Sequence, residues 1–276
     1  MHAMKYENLA GGGKIPLLGL GTWRMGGSMS PEYSQDDHII GAIRSIIELG
    51  CTHIDTAEMY GGGHTEELIG RAIRGFNRQD LFITTKVWQS HLRYQQVLNA
   101  INGSLNRLGI DYVDLYLIHW PNASVPLEDT FRGLNEIAAR GLSRHIGVSN
   151  FDLALLKRAR QLCETPLATN QVPYSIRERR YVHNGVVEYC QSNGIVLTAY
   201  SPIDKGVSLN NPDVRRIAAG YGATPAQVAL SWLIHQPQVI AIPKTTNPEH
   251  MAENLGALEL ELSPADKQRL DKVEMR

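Results

Sequence analysis

Residues 17–24 read Leu-Leu-Gly-Leu-Gly-Thr-Trp-Arg, a short apolar run that ends in a glycine pair and a polar turn. A doubly wound sheet that binds a dinucleotide carries Gly-x-Gly-x-x-Gly directly after its first strand. Here Gly19 and Gly21 match the first two glycines, but Arg24 stands at the third position. The fingerprint of the open sheet is therefore absent, which favours the other architecture with the same linear pattern, a closed barrel.

Eight short apolar runs recur along the chain, and segments with helical periodicity separate them. Such runs are typical of parallel strands that are buried on both faces. We therefore predict an α/β fold, a (β/α)8 TIM barrel formed by residues 1–276 as a single domain. The eight runs are Leu17–Thr22, Thr52–Thr56, Leu81–Lys86, Tyr112–His119, His145–Ser149, Ala168–Val172, Ile195–Ser201 and Val239–Lys244.

Helix signals lie between the runs. Isoleucines recur at helical spacing over residues 39–47 and stop at Gly50, while Thr224-Pro225-Ala226-Gln227 and Ser263-Pro264-Ala265-Asp266 each place a capping residue before a proline. Further helices are predicted at 65–75, 92–108, 128–140, 152–162 and 179–193. Ahead of the barrel, the glycine-rich segment Tyr6–Pro16 predicts a β-hairpin that plugs the lower end.

Composition excludes several classes of protein. Lys and Arg number 27 against 28 Asp and Glu, a net charge of −1, so the basic patch of a nucleic-acid or anionic-membrane binder is missing. No apolar stretch is long enough for a membrane span, and no signal peptide is recognisable. The three dispersed cysteines and ten scattered histidines indicate neither a disulfide framework nor a metal site. We expect a cytoplasmic protein that acts on a small molecule.

Three ionisable residues end three successive predicted strands: Asp55, Lys86 and His119. Tyr60 follows Asp55 in the adjoining loop. Because the carboxyl ends of barrel strands build one common face, we predict that the four side chains meet there. Each one alone is more often structural: a capping Asp, a lysine whose charge reaches solvent, a histidine bonded to backbone, a tyrosine on the rim. It is their combination that indicates a site.

The four residue types together suit carbonyl reduction. A tyrosine that protonates a developing alkoxide near neutral pH benefits from a pKa below its usual value of about 10, and a nearby cation lowers it. We expect Lys86 to supply that charge, Asp55 to keep Lys86 protonated and oriented, and His119 to donate a hydrogen bond to the carbonyl or to relay a proton.

Motifs in the same order along almost the whole chain resemble the aldo-keto reductase superfamily, in particular its bacterial members such as the methylglyoxal and 2,5-diketogluconate reductases. The resemblance implies a barrel that binds NADPH without a Rossmann fold and transfers a hydride to an aldehyde or ketone, with Asp55, Tyr60, Lys86 and His119 as the catalytic set. The motifs are residues 19–23 (GLGTW), 53–61 (HIDTAEMYG), 84–87 (TTKV), 117–121 (LIHWP), 146–151 (IGVSNF), 170–171 (NQ), 199–202 (AYSP) and 242–244 (IPK).

The resemblance also implies the cofactor contacts. Ser149, Asn150 and Gln171 would bind the nicotinamide carboxamide, since they offer donors and acceptors suited to an amide. Tyr200 would stack on the nicotinamide ring. The other cofactor contacts are Asp55, Thr22 and Trp23 near the nicotinamide ribose and the substrate, Ser201 near the pyrophosphate, Lys244, Thr245 and His250 near the 2′-phosphate, and Glu253 and Asn254 near the adenine. Without a family, Glu253 and Asn254 would be read as a solvated helix face.

Two departures from the family pattern affect specificity. His250 stands where many NADPH-preferring members carry an arginine, and imidazole lacks the bidentate fork of a guanidinium. We expect NADPH to remain favoured through Lys244, with some use of NADH. The chain ends at Arg276 directly after its last helix, so we expect no long C-terminal loop, and the segment Trp120–Leu127 is short as well.

The pocket is therefore predicted to be open and aromatic, lined by Trp23, Trp88, His119 and Trp120, although the tryptophans could equally be lid packing. Such a pocket suits small aldehydes, dicarbonyls or keto-sugars. Two other functions stay open: a nucleotide-sensing regulatory protein similar to the potassium-channel β subunits of the superfamily, and a Schiff-base aldolase that uses Lys86. The family leads us to expect a monomer.

Overall fold

The computed structural model describes residues 3–273. Residues 1, 2 and 274–276 lie outside it. The predicted bounds of the domain, residues 1 and 276, and the predicted end of the chain at Arg276 therefore fall outside the described residues. Within the described range, no helix has the length and apolar character that a bilayer crossing needs.

The predicted hairpin is present at the start of the chain. Strands β1 (Tyr6–Asn8) and β2 (Lys14–Pro16) pair antiparallel. The carboxylate of Glu7 accepts hydrogen bonds from the backbone N–H and the side-chain amide of Gln238, at 3.3 and 3.0 Å, just before the last strand of the barrel begins. Ile15 is completely buried. The hairpin thus covers the end of the barrel at which the strands start.

Eight parallel strands follow and pair in sequence order. They are β3 (Leu20–Gly21), β4 (His53–Asp55), β5 (Phe82–Val87), β6 (Val113–Ile118), β7 (Ser143–Ser149), β8 (Thr169–Pro173), β9 (Val196–Tyr200) and β10 (Val239–Ala241). The first and last strands meet: Gly19 N–H donates to the carbonyl of Ala241, and Ala241 N–H donates to that of Leu17, both at 2.9 Å. The sheet closes on itself, and the predicted (β/α)8 barrel is confirmed.

Helices surround the sheet. In the described range they are α1 (Asp36–Glu48), α2 (His64–Ala72), α3 (Tyr94–Leu108), α4 (Leu127–Ala139), α5 (Leu153–Leu162), α6 (Arg180–His183), α7 (Val186–Ser192), α8 (Pro212–Tyr221), α9 (Pro225–Ile234), α10 (Pro248–Leu255) and α11 (Pro264–Leu270). The predicted caps are present, since Thr224 and Ser263 accept hydrogen bonds from the third residue of α9 and α11. Four isoleucines of α1, Ile39, Ile43, Ile46 and Ile47, are buried in the core, and each contributes about 1.5–3 kcal/mol of transfer free energy.

Two helix predictions need correction. The single helix expected over 179–193 is broken into α6 and α7, because Gly185 adopts a left-handed conformation with φ 78°. Helix α8 was not predicted, and α10 was implied only by the helix face assigned to Glu253 and Asn254. Each begins with an asparagine cap followed by proline, Asn211 and Asn247, which is the same type of signal that correctly predicted α9 and α11.

Candidate active site

A buried ion pair lies at the carboxyl end of β4 and β5. The ammonium of Lys86 donates hydrogen bonds to Oδ1 of Asp55 at 2.6 Å and to the carbonyl of Thr56 at 2.7 Å. The side chain of Lys86 is completely inaccessible, and that of Asp55 is 3% exposed. Gln171, from β8 across the barrel, donates to the other oxygen of Asp55 at 2.7 Å. Each oxygen of the carboxylate therefore accepts a hydrogen bond, and these bonds hold the pair in place.

Burial and attraction act in opposite directions on this pair. Burial raises the pKa of Asp55 and lowers the pKa of Lys86, because it disfavours both charged forms. The charge of each partner opposes the shift of the other. Since no surface of Lys86 is accessible and its ammonium is already bonded twice, it cannot reach a carbonyl carbon in this structure, which disfavours the Schiff-base alternative.

Tyr60 lies directly above the ion pair. It opens a single 3-10 turn, Tyr60–Gly63, in which three consecutive glycines have φ between 57° and 101°. A side chain would be strained at these positions, so the glycines allow the chain to return sharply into α2. Tyr60 is 8% exposed, and the ammonium of Lys86 lies 5.2 Å from the centre of its ring.

The pKa of Tyr60 differs from the sequence-based expectation. Burial, together with the negative charge of Asp55, raises the pKa of Tyr60 well above its ordinary value, although Lys86 was expected to lower it. The cost of burying a phenolate, which residue types alone do not reveal, dominates here. Tyr60 therefore keeps its proton throughout the neutral range.

His119 faces Tyr60 from the end of β6. The two ring centroids are 5.5 Å apart with the rings at 71°, and the ring of Trp88 also contacts that of His119, with centroids 5.2 Å apart. Burial and the positive charge of Lys86 lower the pKa of His119 to about 2, so the imidazole is neutral. Within the described residues, its buried Nδ1 has no hydrogen-bond partner. A neutral imidazole beside Tyr60 is suited to donate one hydrogen bond to an uncharged acceptor.

The predicted tryptophans are distributed unequally around these rings. Trp23 packs on Tyr60 with centroids 4.8 Å apart and is 38% exposed. Trp88 contacts His119 and is half-buried. Trp120 follows His119 directly and is 40% exposed. Trp23 and Trp88 thus form two sides of the site, and Trp120 lies at its rim.

The three residues expected to bind the carboxamide lie together at the ends of β7 and β8. Ser149 donates to the carbonyl of Gln171 at 2.8 Å, and Asn150 donates to Oγ of Ser149 at 2.9 Å. Tyr200, the last residue of β9, donates its hydroxyl to Oδ1 of Asn150 at 2.9 Å. The side-chain amide N–H of Gln171 is donated to Asp55, which leaves its side-chain oxygen Oε1 as an acceptor for the amino group of a primary amide. The amide of Asn150 also donates to the carbonyl of His119, at 3.1 Å, so this network would have to exchange a hydrogen bond to serve the oxygen of that amide.

The residues expected near the 2′-phosphate and adenine follow β10. Lys244 and His250 are exposed, and Thr245 accepts a hydrogen bond from Asn247 N–H, the cap of α10, at 3.0 Å. A helix N-terminus beside a lysine fits an anion such as a phosphate. Asn254 is buried, and the carboxylate of Glu253 accepts the hydroxyl of Thr224 at 2.7 Å. The bond to Thr224 ties α10 to the start of α9.

The remaining predicted cofactor contacts lie on two different loops. Thr22 is buried and donates its hydroxyl to the carbonyl of Asp55 at 2.8 Å. Ser201 is exposed at the end of β9 and adopts φ 51°.

Sequence reasoning gave no role to Glu58, which lies inside one of the quoted motifs. Its carboxylate accepts a hydrogen bond from the backbone N–H of Trp88 at 2.6 Å. An acidic residue two positions before Tyr60 was visible, but its partner is a backbone group, which residue patterns do not reveal.

Known proteins are similar in sequence to this chain over almost its full length. Residues 17–275 match the Aldo/keto reductase family. Methylglyoxal reductase YeaE of Escherichia coli (strain K12) is 37% identical over 275 residues, which cover 98% of this chain and 94% of that protein.

Two solved structures resemble this fold closely. The thermostable aldo-keto reductase Tm1743, solved in complex with the inhibitor epalrestat, is 48% identical with a TM-score of 0.95, covering 97% of this chain and 99% of that one. The aldo/keto reductase from Klebsiella pneumoniae, in complex with NADP and acetate, is 34% identical with a TM-score of 0.88, covering 98% and 95%. The resemblance found in the motifs is confirmed, and the chain belongs to the aldo/keto reductase family.

Proposed function

We propose that this protein reduces aldehydes and ketones to alcohols with NADPH, with Tyr60 as the general acid. The observation that carries the proposal is the convergence of Tyr60 and His119 directly above the buried pair of Lys86 and Asp55. The relative named methylglyoxal reductase and the Klebsiella structure that holds NADP support the reaction class and the cofactor.

In this mechanism the carbonyl oxygen lies between Tyr60 and His119. His119, neutral at physiological pH, donates a hydrogen bond that orients the carbonyl and favours negative charge on its oxygen. The chemistry that NADPH would supply here, when bound, is the hydride for the carbonyl carbon. Tyr60 gives its proton to the oxygen as the alkoxide develops, and the ammonium of Lys86 stabilises the phenolate that remains. Asp55 holds Lys86 in place.

The cofactor would bind along the carboxyl ends of β7 to β10. Ser149, Asn150 and Gln171 would hold the carboxamide, and Tyr200 would lie against the nicotinamide ring. Thr22 and Trp23 would contact the ribose, Ser201 the pyrophosphate, and Glu253 and Asn254 the adenine. Lys244, Thr245 and His250 would hold the 2′-phosphate at the start of α10, where the helix dipole favours an anion. We keep the prediction that NADPH is preferred and NADH is used more weakly.

The substrate class is set by the two tryptophan-lined sides of the site. Trp23 and Trp88 are large, flat and apolar, and neither carries a charge that would select one substrate end group. We therefore propose a broad range of small aldehydes, dicarbonyls and keto-sugars. A single-domain monomer in the cytoplasm, with neither nucleic acid nor membrane as a partner, remains our prediction.

A spectroscopic assay tests the proposal. Purified protein is mixed with NADPH and, separately, with methylglyoxal, a keto-sugar and an aromatic aldehyde, and the loss of NADPH absorbance is followed. Turnover of at least one carbonyl supports the proposal. Tight NADPH binding with no turnover of any of them would favour the nucleotide-sensing alternative instead. Borohydride trapping of a carbonyl on Lys86 would favour the aldolase.

A further inference from the structure

Glu58 connects the loop that carries Tyr60 to the loop that follows β5. Its side chain is 9% exposed, and one oxygen, Oε1, accepts the backbone N–H of Trp88 at 2.6 Å and lies 3.0 Å from Nδ1 of His91. The backbone N–H of Glu58 also donates to the carbonyl of Lys86 at 3.2 Å. Glu58 thus forms hydrogen bonds with the backbone on both sides of Val87, at Lys86 and at Trp88.

These bonds extend the pairing of β4 and β5 beyond the end of the strands. Thr56 N–H donates to the carbonyl of Thr84 at 2.9 Å, and Glu58 N–H then donates to that of Lys86. At the next step the acceptor for Trp88 N–H is the carboxylate of Glu58 in place of a backbone carbonyl. A hydrogen bond to an ionised acceptor is roughly twice as strong as a neutral one. The position of Trp88 is therefore tied to the loop of Tyr60.

The ring of Trp88 meets the ring of His119 edge to face, with centroids 5.2 Å apart at 78°. Any loosening of the Trp88 backbone moves one side of the site relative to His119. We propose that Glu58 is a positioning residue that fixes Trp88 against His119 and so sets how well the site holds a bulky, aromatic carbonyl substrate. This inference rests on the proposed function, because it assigns a determinant of specificity to the same site.

The experiment compares Glu58→Ala, Glu58→Gln, Trp88→Ala and the double variant, with Glu188→Ala, an exposed glutamate of α7, as the matched control. Steady-state kinetics are measured with methylglyoxal and with an aromatic aldehyde. Hydrogen–deuterium exchange of the peptide that contains Trp88 gives a readout that needs no turnover. Thermal unfolding of each variant verifies that it is folded.

We expect Glu58→Ala to raise KM for the aromatic aldehyde about tenfold and to change kcat less than about threefold, since a charged hydrogen bond is lost away from the reacting atoms. Methylglyoxal, too small to rely on Trp88, should show a smaller change in KM. Glu58→Gln should lie between the wild type and Glu58→Ala, because its amide oxygen still accepts Trp88 N–H but carries no charge. Exchange at position 88 should accelerate most in the variants that carry Glu58→Ala.

The double variant separates positioning from a general structural role. If Glu58 acts through Trp88, Glu58→Ala adds little to the KM effect of Trp88→Ala. Additive effects, equal changes for both substrates, or unchanged exchange at Trp88 would overturn the inference. A wild-type protein inactive on every carbonyl would overturn the proposed function and the specificity role with it, and the exchange experiment would still report the bond between Glu58 and Trp88.

Discussion

Gln171 and Asp55 are 116 positions apart in the chain, yet the amide of Gln171 donates a hydrogen bond to the carboxylate of Asp55 at 2.7 Å across the top of the barrel. In our account Gln171 binds the nicotinamide carboxamide and Asp55 holds Lys86, so this contact links the cofactor end of the site to its proton-donating end. Both groups lie on rigid strands, which limits how far either one can shift.

The ion pair predicts a specific pattern of stability loss. Asp55→Asn leaves the ammonium of Lys86 buried without a counter-charge, and we expect a loss of about 3–5 kcal/mol in the free energy of unfolding. Lys86→Met leaves the carboxylate of Asp55 buried without a counter-charge, although Gln171 still donates a hydrogen bond to it. The double variant should be far less destabilised than the sum of the two single variants. Urea unfolding measures all three, and strictly additive losses would contradict the coupling.

Two buried histidines predict how stability depends on pH. Burial, with a smaller contribution from Lys86, lowers the pKa of His53 to about 3 and that of His119 to about 2, from an ordinary value of 6.5. Below pH 6.5 the unfolded chain binds protons at both sites and the folded chain does not. Their contribution to stability is thus complete above pH 6.5 and falls with decreasing pH, by up to about 1.4 kcal/mol per unit and histidine.

The pKa of His64 is shifted in the opposite direction from those of His53 and His119. Its burial would lower its pKa, but hydrogen bonds to Glu67 and Asp36 outweigh burial and raise it. The measurement therefore compares the wild type with His53→Gln and His119→Gln by urea unfolding from about pH 7 to about pH 4. Each substitution should make the decline in stability shallower. A decline of unchanged steepness in both variants would contradict the assignment.

Cofactor preference should respond to the residues that follow β10. We expect His250→Arg to increase the ratio of kcat/KM for NADPH over NADH by about tenfold, because a guanidinium forms a bidentate pair with phosphate. Lys244→Ala should reduce that ratio by a similar factor through the lost charge. NADH should bind almost equally to all three proteins. An NADH efficiency above that of NADPH in the wild type would contradict the prediction.

The sequence predicted the barrel because its signals are local. The apolar runs, the caps at Thr224 and Ser263, and the hairpin over Tyr6–Pro16 each depend on neighbouring residues, and each was confirmed. The break at Gly185 was missed, since a glycine within a helical pattern is often tolerated. Helix α8 was missed although its cap, Asn211 before a proline, was visible.

The sequence predicts which side chains meet at the candidate site, but not the contacts and pKa shifts among them. The strand-end positions of Asp55, Lys86 and His119 place them on one face, as the structure shows. The pKa of Tyr60 was not predictable, because it depends on how deeply the phenol is buried and on its distance from Asp55. The bond from Trp88 to Glu58 involves a backbone group, and that between Asp55 and Gln171 joins strands on opposite sides of the barrel. The spacing of residues along the chain predicts neither of these two hydrogen bonds.

The role of Tyr60 is tested most directly by Tyr60→Phe, which keeps the ring against Trp23 and removes only the hydroxyl. Turnover of methylglyoxal is measured beside the wild type, and NADPH affinity is measured by quenching of tryptophan fluorescence. We predict a fall in kcat of about 10²–10⁴-fold with NADPH affinity unchanged, as expected for the loss of a general acid. A variant that keeps kcat within about threefold of the wild type would show that another group supplies the proton, and would contradict the mechanism.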